Sequence, residues 1–355
     1  MKYIYKIVVS LSFLLIAGIC NVSAQEEGAQ SEQVDVKGIV FGHIGDAYEW
    51  HITTWGTTHI TIPLPIIVHS STTGWHMFLS SKLEENKGEY EGLSIAPKGS
   101  KYEGKLVEQN ANGEEVRPLD ISITKIVFSL MINSILLVII ILYVARWYKK
   151  REKEQRSPAG FVGFMEMVIM MINDDVIKPG VGENYRKFAP YLLTAFFFIL
   201  INNMMGLIPL FPGGANITGN IAITLVLSLC SFFAINIFAS KHYWKDVFWP
   251  DVPMWLKIPV PMMPFVELLG IFIKPFALMI RLFANMLSGH MAILVLICLI
   301  FIAASMGPVL QGTLTIASIL FSIFMNALEI LVAFIQAYVF TMLSAVFIGL
   351  AQEKK

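Results

Sequence analysis

Residues 281–290 read RLFANMLSGH and lie inside an apolar tract that runs from about 265 to 305. A second apolar tract, from about 309 to 350, follows the helix-breaking sequence SMGP at 305–308. At 1.5 Å per residue each tract predicts a helix roughly 60 Å long, about twice the hydrocarbon thickness of a bilayer. Because neither helix can stand upright, we expect a long, steeply inclined helical hairpin across the membrane.

The composition of the whole chain indicates the same class. Of its 355 residues, 55% are hydrophobic and 15% are charged, and the apolar residues form several blocks near twenty long. The formal net charge is zero, so no global basic field indicates nucleic-acid binding. We therefore predict an all-α polytopic membrane protein with about five membrane-spanning helices and a small β-rich exterior region at its N-terminus.

The N-terminal part differs in kind from the rest. Residues 1–24, MKYIYKIVVSLSFLLIAGICNVSA, predict a secretory signal peptide, with an uncleaved anchor or lipidation at Cys20 as alternatives. Residues 25–120 are polar, with Thr/Ile/Val alternation, and predict short strands in a periplasmic region. Five of the seven histidines fall there without the close spacing of a zinc site, so no metal site is expected.

Basic residues set the predicted topology. Residues 121–147 are predicted to form the first transmembrane helix, because they contain the charge-free run 126–145. The basic sequence RWYKKREKEQR at 146–156 follows this run and indicates that the C-terminal end of the helix is cytoplasmic. Residues 148–187 are predicted to form a cytoplasmic loop, in which GFVGFMEMVIMMINDDVIK (160–178) is an amphipathic helix at the interface. The core, 188–355, has predicted spans at about 189–211, 215–240, 265–305 and 309–350, and its C-terminus is predicted to be cytoplasmic.

The hairpin tracts carry polar residues that need partners inside a membrane. A charge at bilayer depth costs about 2.5–3.5 kcal/mol even on insertion scales, so such residues commonly mark an ion or proton path. Counted from the turn at Gly307, Arg281 and Gln336 fall at similar depth, whereas His290 and Glu329 form a layer nearer the outside. The full set is Glu267, Lys274, Arg281, Asn285, Ser288, His290, Gln311, Asn326, Glu329 and Gln336.

Helical angle separates two of these groups. Asn285 lies four residues after Arg281 and shares its face, while His290 lies nine residues after it, about 180° away on an ideal helix. His290 and Glu329 can both exchange protons, which indicates a proton path. A buried ion pair between Arg281 and Glu329 is the alternative, although it leaves His290 unexplained. Glu267 lies nearer the inner end, where it is either interfacial or lines an inner vestibule.

RLFANMLSGH, followed by LEILVAFIQAYVF at 328–340, resembles the a subunit of the F-type ATP synthase membrane sector. The resemblance covers residues from about 120 to the C-terminus and includes KPFALMIRLFANM and NNMMGLIP. It implies a non-catalytic stator subunit of a bacterial inner membrane. The implied partners are a rotating c-subunit ring, the b subunits of the peripheral stalk, the remaining ATP synthase subunits and membrane lipid, without a cofactor.

By this resemblance, Arg281 is the essential arginine that meets the ionised carboxylate of each ring subunit and keeps two offset half-channels apart. Proton flow through them is thereby coupled to ATP synthesis. In many bacterial members the histidine and the carboxylate of the outer half-channel occupy each other's positions. The other implied proton-translocation residues are Asn285 and Gln336 around the arginine, His290 and Glu329 in the outer half-channel, and Glu267 near the cytoplasmic one.

Two other function classes fit the sequence less well. A stand-alone secondary transporter predicts internal repeats or paired broken helices, and the sequence shows no such repeat. An intramembrane hydrolase predicts a motif such as H-E-x-x-H, which is absent, as is the phosphate-binding G-x-x-x-x-G-K-[ST]. The chain is thus expected to catalyse no reaction by itself. For the N-terminal region, longer than the tail usual in the family, the hypothesis is a domain that contacts the stator or caps the ring.

Overall fold

In the computed structural model, the described residues are 42, 45–55, 58–71, 73–86, 88–97, 99–109, 115–151, 158–208, 213–248, 262–303 and 308–352. The predicted signal peptide at 1–24 lies outside these ranges. The described residues are mostly helical, with a small antiparallel β region before the first long helix. This confirms the predicted fold class.

Between residues 45 and 120, the described part of the β region contains three antiparallel sheets and a short helix. Strands β1 (Glu49–Trp55) and β2 (Thr58–Pro63) form a hairpin. The second sheet has the order β4 (Gly74–Leu79), β3 (Pro65–Ser70), β9 (Leu119–Asp120). The third has the order β5 (Glu89–Tyr90), β6 (Leu93–Ile95), β7 (Leu106–Gln109), β8 (Glu115–Val116), and α1 (Ser81–Glu85) precedes β5.

Alternation along β3 determines which face of its sheet is buried. Its burial alternates residue by residue, so Ile66 and Val68 pack inward with Phe78, Leu93 and Leu106. Successive side chains of a strand point to opposite faces, and a two-residue period is therefore the pattern expected for a sheet with one covered face.

The β region joins the first long helix without a free linker. The Ile121 N–H donates to the Ile67 carbonyl at 2.9 Å, and the Ile123 N–H donates to the Pro65 carbonyl at 3.1 Å. These hydrogen bonds hold residues 121–123 against β3, and α2 (Lys125–Arg151) begins four residues after the start of the predicted segment 121–147. Apolar composition alone does not distinguish a strand end from a helix start.

A small apolar cluster fixes the β region to one end of the helical membrane part. Trp50, Ile126, Ala215 and Ile217 are all buried together, and the Trp50 ring packs edge-on against Phe128 at 6.1 Å between centroids. The Ile126 N–H also donates to the Asp46 carboxylate at 3.2 Å. Apolar and polar contacts together hold the β region against α2.

The segment predicted as an interfacial helix is helical in three joined pieces. They are α3 (Phe161–Met171), a π-helical segment (Ile172–Ile177) and α4 (Lys178–Val181). Val162, Met165 and Val168 are buried at intervals of three residues. The outward row is apolar as well, and it is formed by Phe161, Phe164, Met167 and Met170.

The next helices are α5 (Tyr185–Leu207), α6 (Ile221–Ile237) and α7 (Lys241–Phe248). Helix α6 begins six residues after the start of the predicted span 215–240, because residues 215–220 form a turn that folds into the interior. Buried Asn216 accepts a hydrogen bond from the Gly219 N–H within this turn, and buried Thr218 donates to Asn203 on α5. Helices α6 and α7 are bent by 102° relative to each other.

The C-terminal hairpin consists of α8 (Met262–Ala303) and α9 (Pro308–Gln352), with 42 and 45 residues. Their lengths of about 63 and 68 Å exceed the bilayer core about twofold, as the apolar tracts predict. Four helices in the described part are long and apolar enough to span a membrane, or five if α6 and α7 form one span. The hairpin packs on α5 around Phe196, Ile199, Leu282, Met286 and Ala337, all buried.

Candidate functional site

The histidine and the carboxylate of the hairpin are in direct contact. His290 lies on α8 and Glu329 on α9, and the distance from Nδ1 to Oε1 is 2.8 Å. Their side chains are 12% and 3% exposed. The depth count from the turn predicts one layer for these residues, and in the structure they are in contact.

The second ring nitrogen of His290 fixes the proton count of this pair. Nε2 lies 3.1 Å from the carbonyl oxygen of Gly206 on α5. A carbonyl oxygen only accepts, so Nε2 carries a proton. The bond between Nδ1 and Glu329 then holds one further proton, which belongs either to the imidazolium or to the carboxylic acid. The pair can therefore pass a proton along the bond without changing its total charge.

Gly289 makes the close approach of the two helices possible. A Cβ at this position would lie within 3.3 Å of three atoms of the Glu329 side chain. Sequence reasoning missed this residue, although a glycine directly before a histidine in a long apolar helix is a usable signal, because glycine weakens a helix by about 1 kcal/mol relative to alanine.

The other carboxylate oxygen of Glu329 has an unusual environment. Oε2 is buried and has no hydrogen-bond partner within the described part of the chain. Buried polar atoms are nearly always paired with protein or water, since leaving one unpaired costs about 1–3 kcal/mol. Oε2 is thus a position where water access would be stabilising.

Arg281, unlike the buried His290–Glu329 pair, lies at the surface of the hairpin. Its side chain is exposed, and it forms no ion pair with Glu329, which contacts His290 instead. The alternative of a structural Arg281–Glu329 pair is therefore wrong. Asn285, one turn from Arg281, is partly buried.

A groove of about 460 Å³ runs between α8 and α9 on the hairpin surface. Three predicted site residues line it, namely Asn285, Glu329 and Gln336, together with exposed Ser288. Glu329 lines this groove and also contacts His290, so the groove connects the buried pair with the protein surface. Arg281 is not among the lining residues.

Glu267 is the predicted residue that the structure does not bring near the others. It is exposed near the beginning of α8, about 35 Å along the helix axis from His290. Lys274 lies between them, with its ammonium 5.3 Å from the ring centroid of Phe347.

A network of buried amides beside the pair escaped sequence reasoning. The Asn133 side chain on α2 donates to Asn202 on α5 at 3.1 Å, and Asn203 donates to the Ala333 carbonyl at 3.4 Å. Thr218, in the interior turn, donates to the Asn203 oxygen at 2.6 Å. Asparagines within apolar tracts are the available signal, because polar groups inside a membrane rarely occur without a role.

This network is adjacent to the His290 acceptor along the chain. Gly206 follows Asn203 by three residues on α5 and therefore lies one turn away on a similar face. The side-chain oxygen of Asn133 is buried without a partner in the described part of the chain. The buried amides of α2 and α5 thus lie at the level of α5 that is one turn from the His290 acceptor.

Comparisons with known proteins identify similar sequences over most of the chain. A family model described as ATP synthase A chain matches residues 130–349. A second model, described as a domain of unknown function, matches residues 39–121 and so corresponds to the β region.

In the described residues, no group of three or more His, Cys, Asp or Glu side chains could hold a metal ion.

Three similar proteins illustrate the coverage. ATP synthase subunit a 2 of Chlorobaculum tepidum is 40% identical over 304 residues, which is 83% of this chain and 81% of that protein. ATP synthase subunit a 2 of Prosthecochloris aestuarii is 42% identical over 241 residues, 65% of this chain and 69% of that protein. ATP synthase subunit a of Anaeromyxobacter dehalogenans is 39% identical over 241 residues, which is 65% of this chain and 58% of that protein. The first alignment is longer than residues 130–349, so it includes part of the N-terminal region.

Proposed function

Because this chain belongs to the ATP synthase A chain family, we propose that it is the proton-translocating a subunit of the enzyme's membrane sector. It acts as a stator without catalytic activity of its own, and its hairpin faces a ring of c subunits. The observation that carries this proposal is the buried His290–Glu329 pair, 2.8 Å apart, beside a groove that opens on the hairpin surface.

Arg281 supplies the charge that the ring carboxylates meet. Its guanidinium stays protonated in proteins, so it pairs with a carboxylate without carrying protons itself. Its exposure on the hairpin leaves it accessible to a partner. A positive charge lowers the pKa of an approaching carboxyl, which favours the ionised ring site and opposes a direct proton leak.

Protons enter from the outside through the amide network and the His290–Glu329 pair. Oε2 of Glu329 and the side-chain oxygen of Asn133 have no hydrogen-bond partner among the described residues, which supports a hydrated route between them. From Glu329 the proton reaches a ring carboxylate across the groove that Asn285 and Gln336 line. Arg281 lies about 13 Å along the α8 axis from His290, which separates the proton entry from the charge barrier.

Protons leave on the cytoplasmic side, where Glu267 lines the exit. Each elementary charge that crosses the membrane contributes about 2.3 kcal/mol per 100 mV. In this orientation the β region is periplasmic, the C-terminus of α9 is cytoplasmic, and exposed Lys149 and Lys150 end α2 on the inner side of a bacterial inner membrane. Partners beyond the c ring are the b subunits of the peripheral stalk and the other synthase subunits.

The decisive test is Arg281→Ala in the complete ATP synthase, measured as ATP-driven proton pumping in inverted membrane vesicles. We expect pumping to be lost while the variant chain still co-purifies with an oligomeric ring of small hairpin proteins. Arg146→Ala, an exposed arginine near the end of α2, is the matched control and should pump normally. Normal pumping by the Arg281 variant would contradict the proposal.

A further inference from the structure

A second groove, remote from the His290–Glu329 pair, lies between the beginning of α5 and the end of α6. Its volume is about 400 Å³. Phe188 and Tyr191 of α5 line one side, and Cys230, Phe233 and Ile237 of α6 line the other. The walls are thus mostly apolar over about two turns of α6, roughly 12 Å, which suits part of a hydrocarbon chain.

The Lys187 side chain places a positive charge at one end of this groove. The Lys187 ammonium lies 4.4 Å from the ring centroid of Phe238 and 5.9 Å from that of Phe188, and the two rings pack edge-to-face. Such cation–π contacts orient the ammonium. In the described ranges no carboxylate forms an ion pair with Lys187, and exposed Arg186 adds a second positive charge beside it.

Another apolar groove in the described part of the chain lacks this combination. The groove between α6 and α8, about 380 Å³, is lined by side chains such as Leu225, Phe272 and Phe276, and no charged residue lines it. It can accept a hydrocarbon chain but has no means to select a headgroup. The groove at Lys187 has an apolar wall and a cation at its end, which is the complement of a phospholipid with a negative headgroup.

We propose that this groove binds an anionic phospholipid of the cytoplasmic leaflet, with one acyl chain along Tyr191 and Phe233 and the phosphate at Lys187. The assignment to that leaflet rests on the orientation given under the proposed function, but the site does not depend on the proton route. The phosphate accepts hydrogen bonds from the ammonium, and the acyl chain packs against the apolar wall.

The test uses the whole ATP synthase in phosphatidylcholine nanodiscs that contain a trace of photoreactive phosphatidylglycerol with a diazirine on its acyl chain. Cross-linked peptides are mapped by mass spectrometry. We expect labelling of the α5 and α6 segments that line the groove, and weaker labelling by a photoreactive phosphatidylcholine. Lys187→Gln should lower the phosphatidylglycerol labelling about five-fold, the effect expected for one basic residue near a membrane surface.

Two matched variants separate headgroup selection from groove occupancy. Lys150→Gln removes an exposed cation at the end of α2, outside the groove, and should leave labelling unchanged. Cys230→Phe fills the groove from an exposed position and should abolish labelling by both lipids. Both variants and Lys187→Gln should pump protons normally, since none of these residues belongs to the proposed route.

Several outcomes would overturn the site. Equal labelling by both lipids, unaffected by Lys187→Gln, would mean that the groove binds acyl chains without selecting a headgroup. Absence of labelling by either lipid would mean that another subunit covers the groove. Competition by excess inorganic phosphate would assign the cation to free phosphate instead of a lipid. Because Arg281→Ala should not change the labelling, this proposal and the proposed function can fail separately.

Discussion

Gly289 and Glu329 are in such close contact that a Cβ on the glycine would stand 2.9 Å from Oε1 and 3.0 Å from Cδ of the carboxylate. Both distances are shorter than van der Waals contact allows. The residue before His290 therefore determines how closely α9 approaches α8, and with it the hydrogen bond between His290 and Glu329.

Gly289→Ala should impair proton pumping without weakening the fold. The added methyl group displaces the Glu329 carboxylate and lengthens the bond to His290, whereas alanine favours helix by about 1 kcal/mol over glycine. Pumping in inverted vesicles and thermal unfolding of the purified complex are measured together. Gly270→Ala is the matched control on the same helix, because nothing lies within 4 Å of a Cβ there. Equal pumping by the two variants would refute the steric role of Gly289.

Glu329→Gln should slow proton conduction on the order of 100-fold, the usual contribution of a proton-transferring side chain. The amide has nearly the same shape and can still hydrogen-bond to His290, but it cannot take up or release a proton. Passive proton flux through the membrane sector, measured after removal of the ATP-hydrolysing sector, reports this step directly. Glu183→Gln changes an exposed carboxylate outside the spans and should have no effect. Undiminished flux in the Glu329 variant would rule out this carboxylate as a proton carrier.

The sequence predicts the hairpin and the His290–Glu329 layer because a helix rises by a constant amount per residue, so counting from a turn estimates depth. It does not predict the interior turn at 215–220, because hydropathy averages over Asn216 and Thr218. It also does not predict that Gly206 accepts from His290, since that contact joins helices 84 residues apart. Which apolar helix packs beside which is a tertiary property, and periodicity carries no information about it.

Trp50→Ala should loosen the β region from the membrane part. Trp50 is 4% exposed in the cluster with Ile126, and truncation of a buried tryptophan costs roughly 3–5 kcal/mol. Hydrogen exchange of the full-length chain should show faster exchange at residues 121–126, which connect β9 to α2. Trp75→Ala is the control, because Trp75 is 62% exposed. Unchanged exchange in the Trp50 variant would mean that the backbone hydrogen bonds to Ile67 and Pro65 suffice to hold the β region.

Acid should destabilise the β region through Glu108. Burial alone would raise the pKa of its carboxyl, but hydrogen bonds from Ser70 and Ser71 to the ionised form outweigh burial and hold this pKa below its ordinary value. A lowered folded-state pKa means that the stabilisation is fully present above the ordinary carboxyl pKa and is lost as the pH falls through the folded-state value. Hydrogen exchange at Leu106 and Val107 of the full-length chain, corrected for the intrinsic pH dependence of exchange, measures this loss.

Two variants assign the acid-labile step to this carboxyl. Glu108→Gln should lower protection at neutral pH and remove its fall in acid, since the amide does not titrate. Glu91→Gln removes an exposed carboxylate whose pKa is lowered by the hydrogen bond with His76, and it should leave the step at β7 in place because Glu91 does not contact Glu108. If the Glu91 variant abolished the acid step at β7 and the Glu108 variant retained it, the stabilising carboxylate would be the one that pairs with His76.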